Sequence, residues 1–478
     1  MKKFTLVSLA MIASASCFAQ TTLWNGENPE ISNKDYAGFW SDGKPELCDN
    51  PETNGINNSA HCLKFTINKD SKVVKLPFRD WITPSMNGSK RVSLMIKKGT
   101  NENVKVELSD PTDRSAEYWK KQVVWYGGAD KWQKLVFDFT SNGDFDNPGI
   151  MTITAQTGDV NGEQTVYIDN IVIEDAPKIN GKLFAEYNAE NPITGNLKLT
   201  GAWMKGESTN ADGDWTPNSY NDFEYFNQLA SADVTSIDMR KASTLGVDIN
   251  QFFFKNPNTI VYADAAYDHA NVVVGGNAAS LELTDAYAFN APEDFTAKSV
   301  KLTRSLQKGI NSFVLPFAVT ADELGADKVA TYQNCTLGEV ANFETAESVN
   351  ANTPFLTTDA KEASELNFTN KDIVATPKTL GTDFVGVYTR TNAEGKYGID
   401  EKGNLHKGGA AAHVNPFHAY LNVESVASVA FDGSVTAINS IAADKVADTA
   451  VYDLSGRRVN GKLQKGLYII NGKKVVVK

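Results

Sequence analysis

The sequence predicts an all-β protein: an N-terminal jelly-roll β-sandwich, further small β modules and a short C-terminal β tail. Three observations carry this. From Leu63 to Glu174, short runs of alternating apolar and polar residues are broken by Gly, Pro, Asn and Asp. Helical periodicity is scarce, and the best helix candidate is the short Thr320 to Leu324, with Thr320 as cap and Glu323 three residues on. Near the end, Asn471-Gly472 separates two apolar runs, the strongest short hairpin signal.

The elements follow in chain order. Lys2 and Lys3 precede an apolar run from Phe4 to Ile12 and small residues ending at Cys17-Phe18-Ala19, the order of a secretory signal peptide cleaved after Ala19. The rival is a lipoprotein signal acylated at Cys17, against which Ser14 stands where such signals usually carry Leu. No later stretch is apolar enough to span a bilayer, since a spanning helix needs about 20 apolar residues. The remainder, at about 150 residues per domain, divides into a sandwich (20–176), a small β or solenoid-like module without a detectable repeat (177–295), a second sandwich (296–436), a linker (437–450) and a tail hairpin (451–478).

In the first sandwich the strand-like runs are Leu63 to Ile67, Val92 to Ile96, Val104 to Leu108, Lys134 to Phe139, Met151 to Ala155 and Val166 to Ile173. Leu135, Phe137 and Phe139 share one face, the inward one for a half-buried strand. Cys48 and Cys62 enclose a turn-rich loop, and in an oxidising compartment they are expected to bridge. Closing a loop of about 15 residues is worth about 3 kcal/mol. Cys335 has no partner left and reads as a buried small apolar residue. The net charge of −12 disfavours nucleic acid, whose binding rests on Lys and Arg neutralising phosphates.

Three segments carry resemblances. The residues Val451-Tyr452-Asp453-Leu454-Ser455-Gly456-Arg457-Arg458-Val459 and Lys465 to Lys478 resemble the C-terminal sorting domain of the type IX secretion system of Bacteroidetes. That resemblance implies an address read by export machinery, and a secreted or outer-membrane-surface destination reached through the periplasm. Thr303-Arg304, Asn311 to Phe317, Asn352 to Phe355, Phe384 to Tyr388 and Pro416 to Tyr420 look like a β module of large Bacteroidetes surface proteins. Leu63-Lys64-Phe65, Trp132 to Phe139 and Val166 to Ile171 resemble carbohydrate-binding modules of the galactose-binding-like jelly-roll type. The last implies a β-sandwich and a polysaccharide or glycan partner, although fold does not bring function with it.

A glycan-binding face needs exposed rings on which sugar C–H groups stack. The candidates are Trp81, Tyr118, Trp119, Trp125 and Tyr126, placed in turn-rich segments off the core strands, with Asp80, Asp110, Asp113 and Arg114 to meet hydroxyls. Packing is the competing role for each ring, and Trp132, beside the best core strand, is expected to be structural. By resemblance to related jelly rolls, Asp169 matches a position that often helps to hold a structural calcium. Its competing role is a carboxylate that accepts backbone hydrogen bonds at a turn. Asn142-x-Asp144-x-Asp146 and Asn210-x-Asp212-x-Asp214 alternate oxygen ligands as calcium loops do, but lack the later glutamate.

No catalytic motif emerges: no Gly-x-Ser-x-Gly, His-Glu-x-x-His, phosphate loop or Cys-x-x-Cys. Three functional readings fit this pattern. They are a non-catalytic secreted or surface polysaccharide-binding protein, a structural or adhesive protein that contacts host or envelope components, and a glycan-cleaving enzyme with two carboxylates set about 5 to 9 Å apart.

Overall fold

The computed structural model describes residues 21–27, 45–53, 56–77, 89–109, 120–140, 150–203, 221–243, 249–336, 339–435, 451–452, 458–459, 465–470 and 473–477. The described residues are mostly β, and by contacts the chain divides into two units, Met1–Lys301 with Thr369–Ala375 and Leu302–Phe368 with Thr376–Lys478.

The first unit begins with a sandwich of two antiparallel sheets. Its strands are β1 (Thr21–Trp24), β2 (Glu46–Asp49), β3 (His61–Ile67), β4 (Val73–Pro77), β5 (Lys90–Lys98), β6 (Glu102–Ser109), β7 (Lys120–Tyr126), β8 (Gln133–Asp138), β9 (Ile150–Thr154) and β10 (Gln164–Asp175). One sheet runs β2-β3-β10-β5-β8, with β1 also on β10, and the other runs β4-β9-β6-β7. Period-two alternation fills the space between them: Leu63, Phe65, Val92, Leu94, Leu135, Phe137, Val104, Val106, Met151 and Ile153 are all 1% exposed or less. The expected inward set of Leu135, Phe137 and Phe139 is buried. Trp132 is buried too, its indole N–H donating to Asn50 Oδ1 at 2.9 Å.

The expected bridge is not formed. Cys48 and Cys62 lie directly opposite each other on β2 and β3, but as free thiols with their sulfurs 3.7 Å apart. That is a thiol–thiol contact, since a bond needs about 2.05 Å. Burial pushes both thiols above their usual range, Cys62 further than Cys48.

The same unit continues through β11 (Lys178–Ile179), β12 (Lys182–Leu183), β13 (Ile193–Ala202), β14 (Ala230–Ser243), β15 (Ile260–Ala263) and β16 (Val272–Val274). From β13 to β16 each strand pairs in parallel with the next, as in a solenoid. Buried asparagines bind its turns. Asn258 donates to the carbonyls of Thr284 (2.8 Å) and Tyr287 (2.7 Å) and accepts from Thr284 N–H (2.7 Å). Between β13 and β14 runs the helix Asp222–Leu229, whose first turn is capped by the Asn221 side chain accepting from the Phe223 and Glu224 N–H groups. Among the described residues this, rather than Thr320 to Leu324, is the α-helix. The Thr320–Glu323 capping box does form, but it closes only the single 3-10 turn Asp322–Leu324.

The coil packs on the outer side of β5 and β8. Val136 meets Ala202 there, and Arg91, 2% exposed, reaches Asp222 at 2.6 Å and Asp138 at 3.0 Å. Burial pushes the Asp138 carboxyl up, but the Arg91 charge and hydrogen bonds from Thr140 outweigh it and hold it below its usual range.

The second unit has a six-stranded and a four-stranded sheet with a shared core of Phe343, Leu356, Phe384, Tyr397, Leu421 and Val429. Arg304 is 3% exposed, stacks over the Phe313 ring and donates to the carbonyls of Phe417 and Ser312. It thereby ties together the segments singled out in the sequence. Cys335 is partly buried rather than sealed, its sulfur 3.8 Å from the Ser425 carbonyl. The tail forms a four-stranded sheet that contains the pair Gly466–Ile470 and Lys473–Val477.

Candidate functional site

The sheet β4-β9-β6-β7 turns one face into the core, and the parity of each strand decides which side chains occupy the other. Val74, Leu76, Met151, Ile153, Val104, Val106, Leu108 and Tyr126 point inward and are fully buried. Their neighbours form cross-strand ladders on the outer face. One ladder is Val73, Thr154, Lys105 and Val123; the next is Lys75, Thr152, Glu107 and Lys121; Asn103 pairs with Trp125 beyond them.

This face has a polar floor with an apolar edge. Thr152 and Thr154 are 4% and 8% exposed, and the Thr152 hydroxyl has no hydrogen-bond partner although its oxygen is out of reach of water. Lys105 Nζ lies 2.9 Å from Glu107 Oε2 over that floor. On the edge strand β7, Val123 is 51% exposed and Trp125 is half-buried. An edge strand that exposes an apolar branch beside a tryptophan leaves that surface uncovered, where most edge strands carry charge.

The sequence had placed Trp125 and Tyr126 together in a turn, both as stacking rings. The structure puts them on β7, where adjacent residues face opposite ways, so Trp125 is on the outer face and Tyr126 is in the core. The Tyr126 hydroxyl lies 2.8 Å from the carbonyls of both Lys98 and Lys131, able to donate to one, and accepts from Lys98 N–H at 3.2 Å. Burial pushes its pKa up to about 12. Tyr126 is therefore a packing residue and not a ligand contact. Trp81, Tyr118, Trp119, Asp80, Asp110, Asp113 and Arg114 lie outside the described residues, as do both Asn-x-Asp-x-Asp runs.

Asp169 is fully buried, and donors surround it: Asn57 Nδ2 at 3.1 Å, Asn170 N–H at 2.8 Å and Gly26 N–H at 3.4 Å. Burial raises its pKa, partly offset by hydrogen bonds from Ser59, Asn170, Asn57 and Gly26. A cation needs oxygen acceptors about it, so this donor set does not fit calcium. Among the described residues no group of three His, Cys, Asp or Glu side chains is placed to hold a metal ion.

Lys98 was not singled out by sequence. It is fully buried at the end of β5, with Nζ 5.1 Å from the Tyr126 ring centre and 3.3 Å from the Glu102 carbonyl. Desolvation pulls its pKa down to about 8.

No family model matches the chain, and no curated relative does. Solved structures that match include TmCBM61 in complex with β-1,4-galactotriose, at 12% identity over 31% of this chain and 94% of that one, with a TM-score of 0.22. A variant of the family 29 carbohydrate-binding module CBM29-2 matches at 13% over 32% and 89%, TM-score 0.21. The MgGH51 α-L-arabinofuranosidase matches at 12% over 32% of this chain, TM-score 0.24, and there the matched part spans 26% of the enzyme. Similarity this slight says nothing of ligand.

Proposed function

We propose that this is an exported protein whose N-terminal sandwich binds polysaccharide on the outer face of the β4-β9-β6-β7 sheet. The observation that carries the reading is the combination on that face: a half-buried Trp125 and an exposed Val123 on β7 beside the polar side chains of Lys105, Glu107 and Lys121. A sugar offers both complements, since its C–H face covers an indole and its hydroxyls hydrogen-bond to ammonium and carboxylate groups. Glu107 is the one carboxylate that the described strand residues present on this face. Glycoside hydrolysis needs two, so the face favours binding over cleavage. The signal-like residues 1–19 and the sorting-domain-like tail support export. No helix among the described residues is long and apolar enough to cross a membrane, which says nothing of a β-barrel.

The test is a panel of soluble polysaccharides in affinity electrophoresis against the full chain and Trp125→Ala, with circular dichroism to confirm that the variant folds. Retardation by at least one polysaccharide, weakened about tenfold or more in the folded variant, is expected. Retardation that the substitution leaves untouched would remove the face from the account.

A further inference from the structure

We propose that Asn103 sets the specificity of this face, selecting glycans whose sugars carry two adjacent free hydroxyls, as 1,4-linked pyranose chains do and 1,3-linked chains do not; the inference rests on the binding role above. Asn103 on β6 is the cross-strand partner of Trp125 on β7. Its neighbour Val104 is fully buried in the core, so alternation turns the Asn103 side chain to the outer face beside the indole. Both Asn103 and Trp125 are half-buried. The connections at this end of the sheet, 68–72, 99–101, 127–132 and 155–163, all lie within the described residues.

The backbone of Asn103 is engaged. Its N–H donates to Glu102 Oε1 at 2.7 Å, and its carbonyl accepts from Thr157 N–H at 3.0 Å. Its side-chain amide has no hydrogen-bond partner among the described residues, and neither has the Trp125 indole N–H. An amide offers an acceptor oxygen and two N–H donors in one plane. A lone hydroxyl meets one of these at a time, whereas two adjacent hydroxyls meet both kinds together, one donating to Oδ1 and the other accepting from Nδ2. Residues directly opposite on paired strands have Cβ atoms about 4.5–5.5 Å apart, so a sugar ring stacked on the indole brings its edge hydroxyls over the amide. In a 1,4-linked pyranose the 2- and 3-hydroxyls are free and adjacent. In a 1,3-linked one the linkage takes the 3-position and separates the hydroxyls that remain.

The experiment measures affinity of the full chain for 1,4-linked xylan, glucomannan and galactan, for a partly acetylated sample of the same xylan, for 1,3-linked laminarin and for gelatin. At least one 1,4-linked polymer should bind about tenfold or more tightly than laminarin, and the acetylated xylan should bind more weakly than the unmodified one. Asn103→Leu, similar in size but without polar atoms, should cost about tenfold for the favoured polymer and remove most of its advantage over laminarin. Trp125→Ala should weaken every glycan alike, and circular dichroism confirms that both variants fold. Equal affinity for the 1,4-linked polymers and laminarin, unchanged by Asn103→Leu while Trp125→Ala weakens both, overturns the role of Asn103 and leaves the sugar-binding face standing. Preference for gelatin over every glycan overturns it as well, since peptide groups also set a donor beside an acceptor. Failure of all the glycans removes the binding role itself.

Discussion

At the scale of single residues, Lys98 makes the most specific statement. Its pKa in the folded chain, about 8, lies below that of an unfolded lysine, about 10.4. The unfolded chain therefore holds that proton more tightly. Stability contributed by this group rises with pH between those two values, and the cost of burying the charge is fully present below pH 8. Lys98→Met should accordingly stabilise the sandwich by about 1–3 kcal/mol at pH 7, with the gain shrinking toward pH 10.5, as read by urea titrations across that range. Asp169 makes the opposite case. Removing its carboxylate strands the Asn57, Asn170 and Gly26 donors, and Asp169→Ala should cost about 2–4 kcal/mol. Chelator or added calcium should leave the melting temperature of the parent unchanged, and a calcium-dependent rise would restore the cation site. Cys48 and Cys62 face each other closely enough that an added oxidant should close them with little movement. Thiol counts falling by two, with a higher melting temperature, would record it; two thiols that persist would mean the strand pair holds them apart.

At the scale of elements, alternation was legible wherever both sheet faces were distinct. Val92 to Ile96, Val104 to Leu108 and Val166 to Ile173 all lie within observed strands. It failed on β7, because Val123-Val124-Trp125-Tyr126 is apolar on both faces and so shows no period of two. The signal that could have placed it is Lys120-Lys121-Gln122 running into those residues, with the outward series Lys121, Val123, Trp125 opposite the inward Val124 and Tyr126. The buried asparagines of the coil were illegible for another reason: Asn256-Pro257-Asn258 has turn composition, and nothing local says that the Asn258 amide binds the carbonyls of Thr284 and Tyr287 some thirty residues on. Asn258→Ala should cost about 2–4 kcal/mol by thermal or urea unfolding, and a neutral result would mean water replaces the amide. The junction is equally specific. Gly201 has φ of +77°, and a Cβ there would lie 2.3 Å from the Ala176 carbonyl oxygen. Gly201→Ala should therefore destabilise the first unit by about 2 kcal/mol or more, whereas Gly162→Ala, also at positive φ but in open space, should cost only the backbone term.

At the scale of the whole molecule, the β class and the sandwich were readable because they depend on local pattern repeated many times. The proposed binding face was only half readable, because it depends on which strands lie side by side. Lys75, Lys105, Glu107, Lys121 and Thr152 are spread over about eighty positions and meet only through the pairing of β4, β9, β6 and β7. Of the rings chosen from sequence, Trp125 lies on that face and Tyr126 lies beneath it. The account therefore stands on one location, and hydroxyl-radical footprinting of the full chain with and without saturating polysaccharide addresses it most directly. We predict loss of labelling at Val123 and Trp125 on β7, with Phe253, 71% exposed on the coil, labelled equally in both. Bound polysaccharide that leaves Val123 and Trp125 as reactive as before, and protects another surface instead, would contradict it.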